Sequence, residues 1–175
     1  MSRNVLTVGE ILPETLDALR VELAARLDSD DWRAPSERER TGWHEGYRAA
    51  RIVLGGRLIG PPAPSSLALA QQLAEHLDGQ LCSVWWASLE PGGQIDEHSD
   101  SQPWDGFARL HVPIESDGTS RFVSDGQSHE LEPGWAYLVD VLEPHSVEGP
   151  AHRPRVHLCI DLKLSADSAE VMSGS

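Results

Sequence analysis

The sequence predicts a mainly β domain with flanking helices, built on a double-sheet jelly roll with the helices packed on one outer face. Two observations predict it. Helical periodicity is confined to the first 80 residues, and short strand-like segments at roughly 8 to 12 residue spacing fill the remainder. A chain of 175 residues, 39% hydrophobic, also fits a single core, because lengths of roughly 100 to 200 residues usually fold as one unit.

Residues 12–27 place Leu12, Leu16, Leu19, Leu23 and Leu27 on one helical face, and Pro13 suits a first turn. The next stretch, DSDDWRAPSERERTGWHEGY, is polar and aperiodic, so it reads as a long loop able to cover a site, with Trp32 and Trp43 as its large side chains. A short strand is expected near Ile52–Leu54. The turn GPPAPSS then leads into a second helix over 65–77, stopped by Gly79.

Beyond that point, strands are expected near 81–90, 107–114, 119–124, 135–140 and 155–163, separated by PGG, SDG, SDGQ, EPG and EGP turn signals. The expected organisation is one domain over 1–175. Residues 1–80 form a mostly helical and loop part packing on the barrel, 81–163 a double-stranded β-helix core of cupin-like type, and 164–175 a frayed tail.

A formal net charge of −14 argues against nucleic acid as a partner, since neutralising phosphates needs clustered Lys and Arg. No run approaches the roughly 18 apolar residues of a membrane span, and MSRNVLTVGE lacks the layout of a secretory signal. A cytoplasmic protein is expected, with no membrane partner and an oligomeric state that the sequence leaves open. Cys82 and Cys159 have no CxxC spacing and are expected as buried thiols.

Two strands share an unusual alternation. In ARLHVPI, Leu110, Val112 and Ile114 face one way and Arg109 and His111 the other; in RVHLCID, Val156, Leu158 and Ile160 oppose Arg155, His157, Cys159 and Asp161. If the apolar faces pack on helices, the Arg-x-His faces line the inside, where an unpaired guanidinium is costly and an anion such as a small dicarboxylate should sit. Alternatively these faces are solvated and the apolar ones form the sandwich core.

His98-Ser99-Asp100 follows the turn EPGGQIDE, and its i, i+2 spacing lets imidazole and carboxylate project to the same side. With His145 it makes a two-His, one-carboxylate set of the kind that holds Fe(II) in non-haem oxygenases and leaves positions open for co-substrate and O2. An HxD pair alone is equally what a surface turn carries. Asp140 is a candidate to orient a ligand from behind.

The stretch from about Ser83 to Asp161 resembles the aspartyl/asparaginyl β-hydroxylase family, which includes bacterial free-proline cis-hydroxylases. The matching words are LEPGGQIDEHSD, RLHVPI, LEPGWAYLVD, HSV and RVHLCID. The resemblance implies Fe(II) ligation by His98, Asp100 and His145, the carboxylate being a feature of bacterial members. It also implies that Arg155 pairs with the distal carboxylate of 2-oxoglutarate, with Arg109 and His111 at the co-substrate or its neighbourhood. Members often carry a serine where this chain has Ala87. Ser88 falls one position off, on the other face.

The implied activity is hydroxylation of a C–H bond of an amino acid, or of a small molecule or peptide containing one, with O2 as oxidant and succinate and CO2 as co-products. Trp43, Arg51, Trp104 and His157 are candidates for substrate contact, although Trp104 and His157 suit packing equally. The rival functions are a non-redox cupin-like metal- or ligand-binding module, and a metal-dependent isomerase or hydrolase on the same fold.

Overall fold

A computed structural model describes residues 4–27, 29–33 and 44–168. In chain order the elements are β1 (Val5–Glu10), α1 (Pro13–Ala24), β2 (His44–Leu54), β3 (Arg57–Leu58), α2 (Pro64–His76), β4 (Gly79–His98), β5 (Phe107–Glu115), β6 (Arg121–Ser124), β7 (Gln127–His129), β8 (Trp135–Val139), β9 (His145–Glu148) and β10 (Arg155–Leu164).

Both helices begin on a proline, where the missing N–H costs nothing. α1 buries Leu16, Leu19 and Leu23, while Leu12 and Leu27 fall just outside its ends and are exposed. Neither helix has a side-chain cap of its own. Instead Glu22 of α1 accepts hydrogen bonds from the Ser65 and Ser66 N–H groups at 2.9 and 3.4 Å, which caps α2 and ties the helices together.

Every ladder is antiparallel, in the order β1-β8-β5-β10-β4-β9-β6-β7, with β2 added to β4 and β3 to β2. β4 links the two layers of the jelly roll. Its first half pairs with β10 and β2, and its last residues pair with β9, which pairs with β6. The PGG sequence expected to end a strand therefore bends one: Gly92 takes a positive φ of 75° inside β4, and its N–H bonds to the Pro150 carbonyl at 2.9 Å.

The outward faces of the central strands form the main core. Leu110, Val112, Ile114, Leu158, Ile160, Leu162, Val84 and Trp86 are buried in one cluster with the helical residues Leu19, Leu23, Leu69 and Leu73. This decides the alternation in favour of helices on the apolar face. Burying each large aliphatic side chain contributes about 1.5–3 kcal/mol. Inside the roll a second cluster, with Leu89, Phe122, Leu131, Tyr137, Val139 and Val147, closes one end.

The N-terminal part is less helical than its composition suggests. β1 extends the sheet beside β8, and β2 is an eleven-residue strand that includes most of GYRAARIVL. β2 hides its alternation because both faces carry unusual residues: Ala50 and Ile52 face the helices, while Tyr47, Ala49 and Arg51 line a polar interior. At the other end β10 continues through the buried Leu164, and residues from 169 onward lie outside the described set. Cys159 is buried as expected; Cys82 is only partly so.

Candidate active site

Cross-strand register lays the inward side chains out as a grid. Cys159 lies opposite Trp85 on one side and His111 on the other, Asp161 opposite Arg109, and Arg155 opposite Leu89. The result is one wall of a cavity of about 800 Å³, in the range of small-molecule sites. His98, Asp100, Arg109, His111, His145 and Arg155 all line it.

His98 and His145 are direct partners across the β4–β9 ladder, and their rings lie 4.4 Å apart. Each ring is oriented by its own backbone. His98 Nδ1 donates to the Asp96 carbonyl at 2.8 Å and His145 Nδ1 to the Glu143 carbonyl at 2.9 Å. A carbonyl only accepts, so Nδ1 is the donor in both rings and Nε2 is the atom through which each imidazole would ligate a cation. Phe122 stacks on His145 at 5.4 Å, and burial lowers the pKa of that imidazole, which keeps it in the neutral, ligating form.

Asp100 follows the end of β4, its N–H bonded to the Val141 carbonyl at 2.8 Å. One carboxylate oxygen lies 3.7 Å from His98 Nε2, and the other pairs with Arg109. Among the described residues, no three His, Cys, Asp or Glu side chains are grouped so as to hold a metal ion as they stand. The donor set nevertheless suits a divalent transition metal: two imidazoles hydrogen-bonded through Nδ1 and a carboxylate on one wall of a cavity.

Arg155 is the most unusual group. It is 5% exposed, and its Nη2 has no hydrogen-bond partner among the described residues. Burial pushes its pKa down to about 10, with only a weak opposing pull from Cys159 and Tyr47. A buried guanidinium without a carboxylate is expensive, so the position fits an anion brought by a ligand. The fit extends to 2-oxoglutarate, whose distal carboxylate matches the two-pronged guanidinium.

His111 and His157 meet Nδ1 to Nδ1 at 3.2 Å, and burial together with the Arg155 charge holds both well below the usual histidine range, hence neutral. His157 is fully buried beneath the cavity floor rather than lining it. Arg109 lines the cavity with its guanidinium already engaged: Nε and Nη2 bond to the two oxygens of Asp161 at 2.7 and 3.1 Å, and Nη1 bonds to Asp100. Burial alone would lower its pKa, but the hydrogen bond and charge of Asp161 and then the charge of Asp100 outweigh that, so it holds its proton more tightly than usual.

Arg51 lines the cavity mouth with Asp31, Arg33 and the rim Ile59–Pro61. Trp104 does not; its indole N–H donates to the Leu162 carbonyl at 3.2 Å and its ring meets Phe107 edge-on. Trp43 lies outside the described residues. Trp32 packs on the core, its N–H bonded to the Arg26 carbonyl, so its neighbours and not its ring reach the cavity. Ala87 lines the cavity and Ser88 faces away, as strand parity requires. Asp140 bonds the Leu142 N–H, a turn contact remote from both imidazoles' Nδ1 bonds.

Tyr47, Phe122 and Asp161 are site residues that motif reading passed over. Asp161 had a signal, since it shares the inward parity of Arg155 and His157. For Tyr47 and Phe122 the signal was weak, because both lie on strands without clear alternation.

The fold is that of the 2-oxoglutarate and Fe(II) oxygenases. The chain is similar to a prolyl-4-hydroxylase from Pseudomonas putida, with a TM-score of 0.65 and 21% identity over 93% of this chain and 94% of that one. It is also similar to a Trichoplax adhaerens prolyl hydroxylase solved with a hypoxia-inducible-factor peptide fragment, with a TM-score of 0.69 and 13% identity over 97% and 87%. A viral collagen prolyl hydroxylase from Paramecium Bursaria Chlorella virus-1, solved with 2-oxoglutarate, gives 0.66 and 10% over 93% and 97%. Among curated proteins none matches significantly. The chain itself belongs to the aspartyl/asparaginyl β-hydroxylase family, whose profile matches residues 14–164, and it is accordingly an oxygenase.

Proposed function

We propose that the chain is an Fe(II)- and 2-oxoglutarate-dependent hydroxylase acting on a C–H bond of an amino acid, free or within a small molecule or peptide. The observation that carries this reading is Arg155, a buried guanidinium with an unmatched Nη2, in the same cavity as two imidazoles that both donate through Nδ1 to a backbone carbonyl. When bound, the metal and the keto acid supply the oxidising chemistry, in which O2 converts 2-oxoglutarate to succinate and CO2 while C–H becomes C–OH.

The chain's own residues then have distinct tasks. His98, His145 and Asp100 hold the metal, and the backbone carbonyls of Asp96 and Glu143 keep the imidazoles aimed. Arg155 takes the distal carboxylate of the co-substrate. His111, held neutral, offers a hydrogen bond beside it without adding a second positive charge. Tyr47, Trp85 and Phe122 exclude water from the reacting end. Substrate enters past Arg33 and Arg51 at the mouth, where a carboxylate on an amino-acid unit finds cationic partners.

Succinate formation tests the reading. Purified protein with Fe(II), ascorbate and 2-oxoglutarate is screened against free amino acids and short peptides. The expected result is substrate-stimulated succinate with a matching +16 Da product, lost in His98→Ala. Absence of any 2-oxoglutarate turnover or binding, or turnover that persists in His98→Ala, would overturn it.

A further inference from the structure

We propose that Asp161 is a positioning residue for the metal centre. By taking the Nε/Nη2 edge of Arg109, it holds that guanidinium in the orientation in which Nη1 meets one Asp100 oxygen and leaves the second oxygen for the cation. The inference rests on the proposed assignment of His98, Asp100 and His145 as metal ligands.

Asp161 and Arg109 are cross-strand partners on β10 and β5. Their fork is fully formed, Nε to Oδ1 at 2.7 Å and Nη2 to Oδ2 at 3.1 Å. Trp85 and Phe107 lie 5.0 and 5.4 Å from the Arg109 guanidinium carbon, so the plane has little room to rotate. Held in this orientation, the guanidinium presents Nη1 to Asp100 Oδ2. The consequence is a divided carboxylate, with Oδ2 toward Arg109 and Oδ1 on the His98 Nε2 side at 3.7 Å.

Without Asp161, Arg109 has a free two-pronged edge. Its preferred partner is then both oxygens of Asp100, because parallel N–H bonds to a carboxylate are the favoured geometry. That would withdraw the carboxylate from the cation. It would also leave an unneutralised guanidinium beside a site built for positive charge, whereas Asp161 now offsets it. Both effects weaken metal binding in the same direction.

The test uses metal-free full-length protein titrated with Co²⁺, read by calorimetry and by the visible ligand-field spectrum. Asp161→Asn and Arg109→Lys are compared, since the first strands a buried cation and the second does not. Both variants should bind Co²⁺ about tenfold or more weakly than the parent chain, with an altered spectrum. In an Asp100→Ala background, Arg109→Lys should weaken binding no further and the loss in Asp161→Asn should shrink to its charge effect, because the positioning runs through Asp100. The inference is overturned if both variants bind within about twofold of the parent chain, or if their losses persist undiminished without Asp100. If the parent chain binds no Co²⁺, or His98→Ala binds it normally, the metal-centre assignment itself fails and the role of Asp161 falls with it.

Discussion

Gly149 lies so close to Gly93 that a Cβ at position 149 would sit 1.6 Å from the Gly93 carbonyl oxygen. The contact is backbone on backbone, so no rotamer change can relieve it. It sits immediately beside the β4–β9 ladder, whose next rungs are Gln94 with Glu148, Ile95 with Val147 and His98 with His145.

Gly149→Ala should therefore force β9 away from β4 and spread the two histidines. A stability loss of about 2 kcal/mol or more is expected, because an overpacked contact with no flexible partner has to be met by backbone movement. Thermal melting checks the stability, and Co²⁺ titration checks the histidine pair. A variant that melts like the parent chain and binds metal equally well would contradict the steric account.

Arg155 predicts opposite signs for stability and for function. Replacing it with Met removes a buried cation whose Nη2 has no hydrogen-bond partner among the described residues, so the metal-free protein should become as stable or more stable, by up to about 4 kcal/mol in chemical denaturation. Co-substrate binding should weaken by about 2–5 kcal/mol in the same variant, as the KM for 2-oxoglutarate or its binding isotherm would report. Loss of stability together with unchanged keto-acid binding would show a structural arginine instead.

His157 ties stability to pH. In the folded chain it is fully buried and its pKa is lowered well below 6.5, by burial first and the Arg155 charge second. Below pH 6.5 the unfolded chain takes up a proton that the folded chain refuses, so stability falls as pH falls. The slope contributed by this residue is at most about 1.4 kcal/mol per pH unit. Denaturation of metal-free protein between pH 7.5 and 5.5 should show the decline, and His157→Leu should flatten it. His111 contributes in the same direction.

Much of the site was legible because strand parity is a rigid rule. The words ARLHVPI and RVHLCID place Arg109, His111, Arg155 and His157 opposite the apolar side chains of their strands before any pairing is known, and β10 and β5 are adjacent with those side chains facing the cavity or its floor. Register was not legible. Nothing in the spacing of residues 109 and 161 says that they stand opposite each other, so the capture of Arg109 by Asp161 was invisible. Only the end of β2, near Ile52–Leu54, was legible, for a related reason. A strand that lines a polar interior on one side and packs on helices on the other has no solvent face, and Tyr47, Ala49 and Arg51 do not read as alternation against Ala50 and Ile52. Of the loop expected to cover the site, residues 34–43 lie outside the described residues; Asp31 and Arg33 reach the cavity while the Trp32 indole turns to the Arg26 carbonyl.

The split between the two faces of the central strands has an evolutionary consequence. Ala49, Arg51 and Ala87 touch the cavity but lie outside the helix-backed layer formed by Ala50, Ile52, Val84, Trp86 and Leu158. Substrate preference can therefore drift by single replacements at the first set without renegotiating the packing that keeps the chain folded. The same sheet acts as an exchangeable lining on a fixed frame, and one scaffold can be carried from one substrate to another while the end that holds His98 and His145 stays unchanged.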